Sequence, residues 1–375
     1  MNEPDPPPAS IMFELSCLGC GARRPPTLDV FCESCGALYQ VIYREAPSRL
    51  APRLPLQRAE QRIRLGEGDT PLLELRRLGA ELGLARLWAK LEHLSPTGSF
   101  KDRGSSALMS VAREHGLSEF VEDSSGNAGA SLAAYAATAG IRAHVFAPAS
   151  ASRMKLEQIS IYGAELHLIE GPRQAATDAA QAFATTRGFV YLSHSYSPFF
   201  SEGIKTFSYE VAASEAAAAE HVVFPVGNGS LLIGVRNGFE ELAASGAIAA
   251  PPRLHCVQAA AVRPITAAFR GEEWVFDPAV PTVASGIAVS KPPRIGQALN
   301  AIRSTGGSAV AVTDPDILEW QQRLARTEGV FCEATSAAAF AGLAALIESG
   351  AIERGAQVLV PVTGSGLKEP LQPSR

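Results

Sequence analysis

No stretch of this 375-residue chain stays apolar long enough to cross a bilayer. Its hydrophobic runs are broken by charge, glycine or proline well before the roughly 18 residues a membrane helix needs, so a membrane partner is not expected. Basic charge is equally scarce. Thirty-three Lys and Arg stand against 38 Asp and Glu, a net charge of −5, and no basic run or face offers itself to a nucleic acid. Met1 to Ser10 has neither a basic start nor an apolar core, so it reads as a mobile proline-rich tail rather than a secretory signal. No internal repeat is present, which sets aside solenoids and propellers. What is there, 46% hydrophobic residues with 33 glycines, suits a close-packed α/β enzyme in a reducing, cytoplasmic setting.

Cysteine is sparing too, at six residues. Cys17-x2-Cys20 and Cys32-x2-Cys35 form two short knuckles, with Gly19, Gly21 and Gly36 where tight turns need small residues. Each knuckle can aim two thiolates at one ion, so a structural zinc is expected, with a pair of reducible disulfides as the alternative. Four thiolates leave no open position for catalysis. Cys256 and Cys332 read as small buried hydrophobes.

Beyond a Pro/Arg-rich stretch from Glu45 to Gln61, apolar runs alternate with helical patterns. Strands are expected near 119–122, 143–146, 165–169, 189–192, 221–226, 253–258, 309–312 and 357–362, and helices near 130–139, 154–162 and 174–186. This alternation predicts doubly wound parallel sheets with helices on both faces. Ligands in such sheets bind beyond the carboxyl ends of the strands. Three strands there run into loops suited to anions: Ser124-Ser125-Gly126-Asn127, Gly227-Asn228-Gly229-Ser230, and Thr363-Gly364-Ser365-Gly366. A fourth segment, Ser95-Pro96-Thr97-Gly98-Ser99-Phe100-Lys101-Asp102-Arg103-Gly104, sets one lysine in a turn, with a helical run expected just after Gly104. Desolvation by Phe100 and the charge of Arg103 would bias that amine towards its neutral, nucleophilic form.

In their joint order these segments resemble the fold type II pyridoxal-phosphate enzymes, and most closely their threonine synthase branch. The pieces that carry the likeness include GEGDTPLL (Gly66–Leu73), SPTGSFKDRG (Ser95–Gly104), SSGNAGASLAAYAA (Ser124–Ala137), EGIKTFSYEV (Glu202–Val211), PVGNGS (Pro225–Ser230), GVFCEATSAAAFAGL (Gly329–Leu343) and VTGSGLK (Val362–Lys368). The resemblance implies two doubly wound α/β domains behind a zinc-ribbon-like module. Residues 1–45 would be the tail and cysteine module, and 46–375 the catalytic body, with a smaller subdomain at about 103–196 inserted in the larger one. It implies that Lys101 holds the cofactor as a Schiff base and acts catalytically. Asn127 would bond the cofactor's 3-oxygen, Gly227, Asn228, Gly229 and Ser230 would hold its phosphate, and Thr363 would face the ring nitrogen. Ser124, Ser125 and Gly126 would take the substrate carboxylate, with His194 also at the substrate. A homodimer is the implied assembly.

Two positions depart from the threonine synthase pattern. Ala128 stands where a threonine follows the loop asparagine, and Phe200 stands where an arginine grips the substrate phosphate. His194, Lys291 and Arg294 are the cations that could compensate. The expected chemistry is elimination or replacement at Cβ or Cγ of an amino acid. Alternatives are a threonine or serine ammonia-lyase, a cysteate synthase-like β-replacement on O-phosphoserine, or an inactive zinc-ribbon binding protein.

Overall fold

The computed structural model describes residues 13–171 and 173–370, so the expected tail at Met1 to Ser10 lies outside the described residues. The chain opens on a small antiparallel sheet of β1 (Phe13–Cys17), β2 (Arg23–Arg24) and β3 (Tyr39–Tyr43), in the order β2-β1-β3. The cysteine knuckles are its turns. Gly21 and Gly36 close them at φ of 73° and 72°, a left-handed region open to glycine.

The body begins with β4 (Leu72–Glu74), α1 (Arg76–Glu81), β5 (Arg86–Lys90) and α2 (Lys101–Glu114). Next come β6 (Glu119–Glu122), α3 (Asn127–Ala139), β7 (Arg142–Pro148), α4 (Arg153–Ile161), β8 (Glu165–Ile169), α5 (Arg173–Arg187) and β9 (Val190–Tyr191). These strands form a parallel sheet in the order β8-β7-β6-β9. Two short helices, α6 (Pro198–Ile204) and α7 (Thr206–Ala212), lead to β10 (His221–Pro225), α8 (Ser230–Ala244), β11 (Arg253–Ala259), α9 (Pro264–Arg270) and α10 (Ile295–Ser304). The described fold ends with β12 (Ala309–Val312), α11 (Asp314–Glu328), α12 (Ala334–Glu348) and β13 (Gln357–Pro361).

The larger sheet runs β12-β11-β10-β13-β5-β4 and is parallel except at its edge, where β4 pairs antiparallel with β5. Expecting only parallel strands was wrong there, because β4 returns directly against its neighbour without a crossover. Every residue of β10 is buried, as a strand covered by helices on both faces requires. The Ala-rich α12 is buried almost throughout and has no polar face. No helix among the described residues is long and apolar enough to cross a membrane.

One helix start differs from the expectation. α2 begins at Lys101, before Gly104, so Gly104 lies inside the helix. Its lack of a side chain is used there: a Cβ would sit 2.6 Å from Cε1 of Phe200 on α6.

Candidate active site

The loops after β6, β10 and β13 and the first turn of α2 line one cavity of about 590 Å³ between the two parallel sheets. Lys101, Ser124, Ser125, Gly126, Asn127, His194, Gly227, Asn228, Gly229, Ser230 and Thr363 all border it. The arrangement places a helix N-terminus behind two of the loops, since α3 starts at Asn127 and α8 at Ser230. Partial positive charge at those ends favours anions.

Lys101 Nζ lies 4.6 Å from the Phe100 ring centroid and 5.6 Å from that of Phe200. Burial pulls the amine down to about 8, against the opposing pull of Glu122 and Glu333, while Arg173 pushes it lower. The expected part of Arg103 is corrected. Its guanidinium is wholly buried and turned away, bonding Glu92 at 2.7 and 2.8 Å and Glu210 at 2.5 and 2.7 Å. Arg103 therefore latches the base of α2 and leaves the lysine to burial.

Asn127 Nδ2 donates to both carboxylate oxygens of Glu333, at 3.1 and 3.0 Å, while its Oδ1 is buried without a partner. Burial raises the Glu333 carboxyl, and Lys155 Nζ stands 3.6 Å from it. The same ammonium bonds Glu369 at 2.9 Å. In the glycine loop, a Cβ on Gly227 would lie 3.0 Å from Gly286 O, and Gly229 has a φ of 87°. Side chains are thus kept off a surface of backbone. Thr363 Oγ1 meets Ser336 Oγ at 2.8 Å, both buried. Beneath the serine loop, a Cβ on Gly129 would come 1.9 Å from Ser124 O.

His194 Nδ1 is 2.8 Å from Glu122 Oε1, and both groups are buried. Burial pushes the Glu122 carboxyl well up and the imidazole well down, Lys101 adding to the latter. Burial thus works against the charged form of each partner. Phe200 is wholly buried and meets the His194 ring edge-on at 5.5 Å.

Of the three compensating cations, His194 alone borders the cavity. Lys291 is exposed. Arg294 is buried elsewhere, donating to Tyr39 O at 3.1 Å and Tyr196 O at 2.6 Å, and so ties the cysteine module to the body. Sequence reasoning missed two cations that do line the cavity, Lys155 and Arg173, and the carboxylate Glu333. For Glu333 a signal existed in Cys332-Glu333-Ala334-Thr335, inside a segment that carries the family resemblance. The cations sit on helices like any surface lysine or arginine.

Apart from the cavity, the four N-terminal cysteines bring their sulfurs within 4.8 Å of one another. Cys17 and Cys35 Sγ are 3.4 Å apart, Cys20 and Cys32 Sγ 3.8 Å, and all six cysteines are free thiols. Cys256 and Cys332 are wholly buried, as expected of small hydrophobes.

Comparison with known proteins bears on this arrangement. A family profile described as pyridoxal-phosphate dependent enzyme matches residues 63–364. The threonine synthase of Methanocaldococcus jannaschii is 35% identical, over 94% of this chain and 92% of the relative. Among solved structures, maize serine racemase superposes with a TM-score of 0.69 at 21% identity, covering 82% of this chain and 91% of the other. Threonine deaminase isoform 2 from Solanum lycopersicum does so with a TM-score of 0.67 at 22% identity, covering 79% of each chain. A match of this extent, over a cavity that gathers a buried lysine and three strand-end loops, means that the chain belongs to the pyridoxal-phosphate-dependent enzyme family, on its threonine synthase-like branch.

Proposed function

We propose that this enzyme eliminates or replaces a group at Cβ or Cγ of a small amino acid, with Lys101 as its catalytic residue. The observation that carries the reading is the buried Lys101 amine, lowered to about 8, on the same cavity as Asn127 and the Gly227–Ser230 loop. The residues present fit pyridoxal phosphate. The unpartnered Asn127 Oδ1 shows an amide whose hydrogen bonds are incomplete without a ligand, and a side chain on Gly227 would crowd the loop against Gly286. Lys101, Asn127, Gly227, Asn228, Gly229, Ser230 and Thr363 would hold the cofactor, which supplies an electron sink for the pair released at Cα.

The chain's own groups do the rest. Ser124, Ser125 and Gly126, backed by the N-terminus of α3, bind the substrate carboxylate. Lys101 Nζ, neutral when it accepts, takes the Cα proton and later returns one. Thr363 offers a neutral hydroxyl, which favours elimination over transamination because it does not enforce a protonated ring. His194, on the wall of the same cavity, would donate to the departing group.

Threonine and serine are the preferred substrates on this reading. Phe200 fills the arginine's place with a buried ring, and desolvating a phosphate dianion without charge-assisted donors is costly. A second reading has its own support. Arg173 and Lys155 border the cavity, and a half-exposed Arg173 has only Asp123 at 4.0 Å as an ionic partner among the described residues. An anionic leaving group would then be held by Arg173. A panel of threonine, serine, O-phosphohomoserine and O-phosphoserine, read by 2-oxo acid and phosphate release, tests the first reading. Efficient conversion of either phosphorylated substrate, lost in Arg173→Ala, would transfer support to the second.

We further propose one structural zinc at Cys17, Cys20, Cys32 and Cys35. Zinc–sulfur bonds of about 2.3 Å set tetrahedron edges near 3.8 Å, close to the sulfur separations of 3.4 and 3.8 Å. A homodimer and a cytoplasmic location complete the proposal; the first rests on the resemblance and the second on the free thiols.

A further inference from the structure

On the edge strand of the smaller sheet and its neighbour, Glu165 and His167 of β8 and His144 of β7 turn their side chains to one point. The sheet register explains the meeting. His144 pairs directly with Glu165, and His167 lies two residues further along β8, on the same face. His144 Nδ1 is 3.3 Å from Glu165 Oε2 and 3.4 Å from His167 Nε2, and His167 Nε2 is 3.4 Å from Glu165 Oε1. We propose that these three residues form a second divalent-metal site of zinc type, distinct from the cysteine cluster.

Three features carry the assignment. First, the separations exceed good hydrogen bonds, which run at about 2.7–3.2 Å. The His144 Nδ1–His167 Nε2 and His144 Nδ1–Glu165 Oε2 separations fall instead near the edges of a coordination tetrahedron, since metal–nitrogen and metal–oxygen bonds of about 2.0–2.2 Å give edges of roughly 3.3–3.5 Å. Second, the outer partner of a ligating histidine is already in place. His144 Nε2–H donates to Glu119 Oε2 at 3.0 Å, which leaves Nδ1 with its lone pair facing Glu165 and His167. A carboxylate behind the ring is the usual way of orienting a metal-bound imidazole. Third, the rings are fixed in advance. Phe146 stacks on His167 at 4.3 Å with an interplanar angle of 12°, and Phe183 lies 5.2 Å from both imidazoles.

Two imidazoles and one carboxylate suit zinc rather than magnesium or calcium, which prefer oxygen alone. The burial is graded, with the His144 side chain 6% exposed and that of Glu165 57%. The fourth position therefore opens to water or to an exchangeable ligand, and the ion would clamp edge strand β8 to β7.

The test uses the full-length holoenzyme, treated with chelator and titrated calorimetrically with zinc chloride alone. Wild type is expected to bind one equivalent more than His167→Gln and one more than Glu165→Gln. Both replacements sit at accessible positions and keep side-chain volume, and unchanged circular dichroism confirms their folding. Glu119→Gln, which weakens the outer partner and its pair with Arg142 but leaves the three ligands in place, is expected to retain the equivalent with affinity lowered about 10–100-fold. The added equivalent should raise the wild-type unfolding temperature and not that of His167→Gln. Equal stoichiometry in wild type and both ligand variants overturns the site, whatever the cysteines bind. So does an equivalent that magnesium chloride fills as well as zinc.

Discussion

A lysine amine lowered to about 8 makes a statement about stability as well as reactivity. Unfolded, the group titrates near 10.4, so between about pH 8 and 10 the unfolded chain binds the extra proton and stability rises with pH. Below about pH 8 both states are protonated, and the full cost of burying the charge is felt. Lys101→Met should therefore stabilise the cofactor-free protein at pH 7 by about 3 kcal/mol, with the gain shrinking towards pH 10. Denaturant titrations of both apoproteins across that range check it, and a pH-independent difference would remove burial as the cause. Cofactor capture has the matching sign, because only the neutral amine attacks. Its rate should climb about tenfold per unit up to pH 8 and then level off, followed by stopped-flow absorbance. Borohydride reduction and peptide mapping should put the label on Lys101. Phe200 makes the second residue-scale prediction. It packs against Gly104 and His194, so Phe200→Arg sets a cation beside Lys101 where a ring now lies. Use of O-phosphohomoserine relative to threonine, compared as kcat/KM, should rise by about tenfold or more, at 1.4 kcal/mol per factor of ten. An unchanged ratio would mean that Phe200 does not set substrate choice.

Among the elements, α3 carries the most function per residue, because its first turn supplies both Asn127 and the N–H groups behind the serine loop. Gly129 lets that turn come up against Ser124 O, where a Cβ would lie at 1.9 Å. Gly129→Ala must therefore push the helix from the loop. We expect a loss of at least tenfold in kcat/KM and a lower affinity for cofactor, with folding largely kept, measured by steady-state kinetics and cofactor titration. Activity within twofold of wild type would show that the loop does not need that contact. The strands around this helix were legible because alternation with polar turns marks them: 119–122 and 165–169 were read to the residue. Less was legible where burial is complete on every side. The sequence ATSAAAFAGLAALIE of α12 has no polar face to give it a period, and β4, at three residues, is too short to stand out. The start of α2 was misplaced by four residues, since Gly104 argues against a helix interior until Phe200, almost a hundred positions on, is seen to occupy its missing side chain.

Taken as a whole molecule, the enzyme ties its N-terminal cysteine module to its chemistry through one short helix. The loops of the site were readable because each keeps its function within a few consecutive residues, whereas Arg173, Lys155 and Glu333 reach the cavity only through the packing of whole elements. The N-terminal module joins the body in the same long-range way. Phe13 of β1 meets Phe199 edge-on at 6.1 Å, and Tyr43 of β3 donates to Glu202 at 2.6 Å. Glu202 in turn pairs with the buried Lys205 at 2.6 Å. Phe199 and Glu202 lie on α6, and so does Phe200, whose ring is 5.6 Å from Lys101 Nζ. Cutting the chain near Gly66 would uncover an apolar face and leave the Glu202–Lys205–Glu241 cluster without Tyr43. A separable module, which the Pro/Arg-rich stretch at 45–61 suggests, is therefore not what these contacts describe. Removing the module, or its metal with a strong chelator, should loosen α6, lower the unfolding temperature by several degrees, and weaken cofactor retention about tenfold or more. Calorimetry and cofactor titration on the stripped and zinc-restored protein measure both effects. If the stripped enzyme or a Gly66 truncation held its cofactor as tightly as the intact chain, the module would be a passenger, and Phe200 would owe its position beside Lys101 to the body alone.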